Sequence, residues 1–204
     1  MGNSSIKNLG GRPLGFCIET ALVAATGVFA SKGFEAASMN DLCTAMGINR
    51  PSLYLHFGNK EALYLKAFER FSRMSARLLE SCLSAPSARA GVERLLREGV
   101  MMSTDPHGPG VCFITQAPLK SGEVSAEALG ELARRRATVA LTLRARFDKA
   151  VMVGELPPST NTESLANYYA VLMQGLALQA QHGGEQAALL DVLAVAMAAW
   201  PARS

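Results

Sequence analysis

The chain has 204 residues, 49% of them hydrophobic and 18% charged, with a net charge of +3. That balance excludes a disordered chain and allows one domain, or two small ones, with a real buried core. The charge is too weak to mark the whole surface as a binder of polyanions, so any basic patch must be local. Four cysteines, Cys17, Cys43, Cys82 and Cys112, lie far apart with no CxxC pair. This spacing points to reduced thiols in a cytoplasmic protein, not to a disulfide framework or a zinc site.

The first segment, "MGNSSIKNLGGRP", lacks the apolar stretch of a signal peptide, and Ile6 stands where a myristoylation signal needs Ser or Thr. It reads as a flexible arm carrying Lys7 and Arg12. Ile18, Leu22, Ala25 and Phe29 then recur at helical spacing, one face of a helix that stops at Gly33. Ser38 is a natural N-cap with Asp41 three residues on as the capping-box acid, and Leu42 and Met46 form the inward face of the helix that follows. Gly47 turns the chain. Asn49 caps the next helix, Pro51 is tolerated in its first turn, where amides have no intrahelical partner, and Gly58 closes it. Asn59 opens a long helix along Leu63, Ala67, Phe71, Met74 and Leu78.

Beyond Pro86 the pattern predicts a helix to about Met102, the loop "TDPHGPG", the short apolar piece "VCFITQAPL", and a long helix from about Glu123 to Val153. After "GELPPST" two more helices cover about Thr162 to Gln181 and Glu185 to Trp200. No alternating run is long enough for a sheet, so the fold class is all-α. Between Ser164 and Ser204 the only charged residues are Glu185, Asp191 and Arg203. Helices apolar nearly all round must be buried on more than one side. A membrane span is the rival, but Asn167, Gln174 and Gln179 interrupt the first helix, and the second is short with Asp191 inside it. Burial against a second copy of the chain, as a homodimer through these two helices, explains them better.

The helix between Asn49 and Gly58 is too short to be stable alone, because helix nucleation is costly. Leu53 and Phe57, four apart, can pack it against the helices holding Phe29 and Leu42, leaving Arg50, Ser52, Tyr54 and His56 outward or partly so. Two short helices joined by a glycine turn and braced by a longer one make a helix-turn-helix, whose second helix lies in the DNA major groove. Arg50 can pair bidentately with guanine, and Ser52 can meet several bases. Tyr54, His56 and Lys60 suit phosphate oxygens, as does Ser38 with the amides of its helix start. Arg12 in the arm can enter the neighbouring minor groove or touch the backbone. The same shape also occurs in proteins that never touch DNA, where Tyr54 and His56 are ordinary half-buried residues.

Those residues carry a resemblance. "GRP" in the arm, followed by "ALVAATGVFASKGFEAASMNDLCTAMGINRPSLYLHFGNKEALY", resembles the N-terminal domain of TetR/AcrR-type transcriptional regulators over about the first 70 residues. The resemblance implies a three-helix DNA-binding domain at residues 1–60, a helical effector-binding and dimerisation domain at 61–204, and a helix from about residue 59 linking them. It implies a homodimer on a palindromic double-stranded DNA operator, usually a repressor released by a small ligand. Carried over residue by residue, base-reading positions fall on Arg50, Pro51, Ser52 and Asn40, and phosphate contacts on Ser38, Tyr54, His56 and Lys60. Leu55 departs from the family, which often has a polar or aromatic side chain there, and is not carried over.

In the remainder, candidates for an effector pocket are the less ordinary side chains on apolar helices: Met101, Met102, Phe113, Gln116, Tyr168, Tyr169, Met173 and Gln174. Apolar walls with a few polar groups suit a small, mostly apolar molecule, although each of these residues also fits plain core. Cys112 has a sharper alternative. At a helix N-terminus its thiol would be acidified and reactive, making a redox or electrophile sensor; otherwise it is a small buried hydrophobe. His56, His107 and His182 do not cluster, so no metal or other cofactor is expected. Arg134, Arg135 and Arg136 follow Glu127 and Glu131 at spacings that favour a solvated, ion-paired face over a second nucleic-acid patch. With no nucleophile–base constellation and no phosphate-cradling glycine loop, the chain does not read as an enzyme.

Overall fold

Polar caps and glycine turns divide the chain into helices, and the helices then sort into two cores. The computed structural model describes residues 16–105 and 126–201, without the side chains at 127, 128, 131, 132, 135 and 136. The described residues form eight α-helices and no strand: α1 (Ile18–Ala36), α2 (Met39–Met46), α3 (Arg50–Phe57), α4 (Lys60–Leu83), α5 (Ala88–Thr104), α6 (Ala126–Met152), α7 (Thr162–Gln181) and α8 (Gln186–Ala198). Gly33 interrupts α1 with φ 77° and ψ 173°, a conformation open to glycine, and a last short turn follows it to Ala36. Ile18 was expected on the inward face but is exposed, because the buried stripe of α1 begins only at Ala21. The helix after Pro86 runs two residues past Met102 to Thr104, whose hydroxyl donates to the Val100 carbonyl. Glu123, the expected start of the long helix, lies outside the described residues.

The first core joins α1, α2, α3 and the first half of α4. Its centre is aromatic. Tyr64 of α4 meets Phe29 and Phe34 of α1 edge-on, with ring centroids 5.0 and 5.1 Å away, a geometry that aligns ring edges with opposing faces. Leu42 of α2 and Leu53 and Phe57 of α3 close over this cluster. The second core joins the end of α4 to α5, α6, α7 and α8. Here Phe147, Tyr169 and Trp200 pack with centroids 5.6 to 6.2 Å apart. Gly91 lets α5 close on the end of α4, since a Cβ there would stand 2.9 Å from the Cys82 carbonyl oxygen.

A polar latch completes the second core. Arg146 Nη2 donates to both Glu155 carboxylate oxygens (3.1 and 3.0 Å), and its Nε donates to the Leu83 carbonyl at 3.3 Å. Glu155 in turn accepts the Ala88 amide at the start of α5. Burial raises the Glu155 carboxyl pKa, but the Ala88 amide and Arg146 outweigh it and leave the pKa below its ordinary value. One ion pair thereby ties together the end of α4, the start of α5, α6 and the turn after it.

Leu53 is fully buried beneath α3. Leu53→Ala should lower stability by about 3 kcal/mol, the usual cost of such a cavity. Urea unfolding would then show an earlier midpoint at an unchanged slope; an unchanged midpoint would mean that the first core does not hold α3.

Candidate nucleic-acid interface

Short-range hydrogen bonds set where α2 and α3 begin and end. Ser38 Oγ accepts the Asp41 amide at 3.1 Å while Asp41 Oδ2 accepts the Ser38 amide at 3.0 Å, a reciprocal capping box at the start of α2. Lys32 Nζ lies 2.8 Å from Asp41 Oδ1, linking α1 to that cap. Gly47 ends α2 in the left-handed region at φ 65° and ψ 30°, and the Ile48 amide donates to the Cys43 carbonyl at 3.1 Å. Asn49 Oδ1 then accepts the Ser52 amide at 2.9 Å and starts α3, with Pro51 in its first turn. At the far end the Gly58 amide donates to the Tyr54 carbonyl, and Lys66 Nζ reaches from α4 to the His56 carbonyl at 3.1 Å.

With Leu53 and Phe57 pointing into the core, α3 turns Arg50, Pro51, Tyr54 and Leu55 to solvent. Arg50 Nη2 donates to Asn40 Oδ1 at 3.0 Å, so the two helices present these groups side by side. Ser38 is exposed, and Ser52 and His56 are half-buried. His56 meets the Phe16 ring edge-on with centroids 5.3 Å apart. Lys60 lies over the Phe34 ring and donates to the Glu35 carbonyl at 3.2 Å, which anchors it at the edge of the same surface. Arg12 lies outside the described residues. The surface therefore combines a fork donor, hydroxyls, an imidazole and ammonium groups on a rigid ridge, the donors that phosphate and base edges accept from.

A second feature lies between α4, α5, α6 and α7: a cavity of about 120 Å³ with Phe71, Leu78, Leu95, Leu96 and Val139 among its walls. Met102, Met173 and Gln174 line it, together with Ser75 and Ser103, and its described lining contains no charged residue. Three other pocket candidates lie elsewhere. Met101 points to solvent, Tyr168 borders a shallow groove with Pro157 and Pro201, and Tyr169 is core. Each follows from helical rotation, which places neighbouring residues about 100° apart and so sends them to different faces. Burial pushes the Tyr169 hydroxyl pKa up to about 12, and the group donates to the Ala196 carbonyl at 3.4 Å. Cys112, Phe113 and Gln116 lie outside the described residues.

Sequence reasoning missed most of the cavity wall, because Leu95, Leu96 and Val139 have the same spacing as any core leucine or valine. It also missed Lys32, whose role depends on a partner nine residues away across a kink. Among the described residues no His, Cys, Asp and Glu cluster suits a metal ion, and no helix is long and apolar enough to cross a membrane. Cys17, Cys43 and Cys82 are free thiols.

The hydrogen bond from Lys32, followed by those from Ser38, holds the Asp41 carboxyl pKa at about 2. Because this value is depressed, the cap is fully formed above the ordinary carboxylate range and is lost only as pH falls through about 2. A carboxyl-carbon NMR titration should give that midpoint in the native chain, and Lys32→Ala should move it up towards the ordinary carboxylate value of 3.8. An unmoved midpoint would assign the shift to Ser38 alone.

Comparison with known proteins places this geometry. Residues 21–67 match the family model described as bacterial regulatory proteins, tetR family. Over 201 residues the chain is 27% identical to the HTH-type transcriptional repressor ComR of Escherichia coli (strain K12), covering 96% of this chain and 94% of that protein. A cysteine mutant of the TetR family transcriptional regulator CifR, complexed with 26 bp double-strand operator DNA, is 37% identical and superposes with a TM-score of 0.86 over 93% of this chain and 100% of its own. A second CifR cysteine mutant on 26 bp operator DNA gives 36% identity and a TM-score of 0.87, over 94% and 100%. Similarity of that extent, centred on the α2–α3 unit and continued through the helical remainder, makes the chain a member of the TetR family of transcriptional regulators, which bind DNA and are not enzymes.

Proposed function

We propose that the protein is a cytoplasmic, homodimeric repressor that binds a palindromic operator and leaves it when a small, mostly apolar effector binds. The carrying observation is the outer ridge of α3, where Arg50, Pro51, Tyr54 and Leu55 stand exposed on a helix braced from below. In this reading residues 1–60 read DNA and residues 61–204 bind effector and dimerise. Arg50, Pro51 and Ser52, with Asn40 beside them, meet base edges, while Ser38, Tyr54, His56 and Lys60 take phosphates and Arg12 reaches from the arm. Two copies of α3 would enter major grooves about one helical turn apart, or further.

Dimerisation through α7 and α8 is supported by what those helices leave outside. Val171 of α7 and Val195 of α8 are 67% and 73% exposed in the single chain, and Leu178 and Val192 are exposed beside them. Apolar surface of that kind on the last two helices fits an isologous contact with a second copy. The effector reading rests on the cavity. Phe71 belongs to the first core and also lines the cavity, so an occupant would press on the helix that supports α3. If effector binding weakens DNA binding, linkage makes DNA weaken effector binding by the same factor, typically about 1–3 kcal/mol.

A second reading keeps the scaffold and replaces the effector by oxidation or alkylation of Cys112. Both CifR structures carry substituted cysteines, which makes the thiol worth testing in this chain.

DNA reading is tested on duplexes selected from a random pool. Arg50→Ala should relax preference at one base pair by about 1–3 kcal/mol, while Tyr54→Phe weakens all sequences alike; binding indifferent to both changes would refute the roles. On the selected duplex, small apolar compounds should cause release in the native chain and fail in Met173→Trp, where the cavity is filled. Release by oxidant that disappears in Cys112→Ser would establish the thiol reading in its place.

A further inference from the structure

We propose that Leu55 reads a thymine methyl group in each half-site, an inference that rests on α3 being the groove helix. Leu55 is 79% exposed, the most exposed large apolar side chain of the DNA-facing unit. At about 100° per residue it lies opposite the buried pair Leu53 and Phe57, at the outermost line of the helix. Pro51 precedes it by one turn, which makes a narrow apolar strip. Arg50 and Tyr54 flank the strip on one side, and Ser52 and His56 on the other.

That position decides the chemistry. Leucine has neither donor nor acceptor, so it gains nothing from phosphate oxygens. Pressed against a polar base edge it would strip water from that edge and return no hydrogen bond. The major groove offers one apolar group on a base edge, the C5-methyl of thymine. A helix that docks with Leu55 at its crest therefore favours thymine beneath that residue and disfavours cytosine and guanine. The flanking polar side chains set which base pairs lie to either side.

The experiment uses the full chain and a random duplex pool. Native protein and Leu55→Ala are each taken through selection, and the enriched native sequence is resynthesised with deoxyuridine replacing each thymine in turn. Removing the methyl under Leu55 should weaken native binding about fourfold per half-site, the usual worth of one buried methyl-sized group. The same replacement should leave Leu55→Ala unaffected, and Leu55→Met, which keeps apolar reach, should retain sensitivity. Thermal unfolding of both variants checks that the exposed substitution has not altered the fold. The proposal is overturned if uracil weakens native and Leu55→Ala protein equally, if it weakens neither, or if the enriched half-site has no thymine. If native protein enriches no sequence at all, the reading of α3 as a groove helix falls, and this inference falls with it.

Discussion

An eight-residue helix in water does not hold its shape, and α3 has eight residues. The exposed ridge of α3 depends on Leu53 and Phe57 being driven into the core below it. Burying two such side chains contributes about 3–6 kcal/mol by area, tertiary stabilisation that an isolated helix of this length lacks. The Asn49 cap and the Gly58 terminus then set where the helix begins and ends, so the ridge of exposed side chains points one way only.

The brace under α3 belongs to a longer element. α4 has 24 residues and spans about 36 Å. Its first half carries Leu63, Tyr64 and Phe71 into the first core, and its second half carries Leu79, Cys82 and Leu83 into the second. A helix of this length transmits a tilt at one end to the other, because its backbone hydrogen bonds resist bending. The Arg146–Glu155 latch holds the far end through the Leu83 carbonyl, and the aromatic cluster around Tyr64 holds the near end. The uncharged cavity lies against the middle of the same helix, where Phe71 and Ser75 face it.

Polar side chains on the candidate interface are held by neighbours within the chain. Arg50 is steadied by Asn40, Lys60 by the Glu35 carbonyl and the Phe34 ring, and His56 by Phe16. Side chains already restricted lose less freedom on binding. Under the proposed DNA contacts each would exchange its present partner for a DNA group, which would tie affinity to how closely the groove matches the ridge.

Local chemistry was legible in the sequence by itself. Ser38 with Asp41, Gly47, Asn49, Pro51 and Gly58 each act on a neighbour within four residues, and the helix bounds of α2 and α3 follow from them. The repeat of Leu22, Ala25 and Phe29 marked an inward face in the same way. Other features needed the tertiary structure, because they depend on residues far apart in the chain. Arg146 meets the Leu83 carbonyl across 63 positions, and the cavity draws its walls from four helices. Tyr169 and Tyr168, adjacent in sequence, part ways into core and surface because helical rotation alone separates them. Sequence spacing reports which side chains share a face; only packing decides what that face meets.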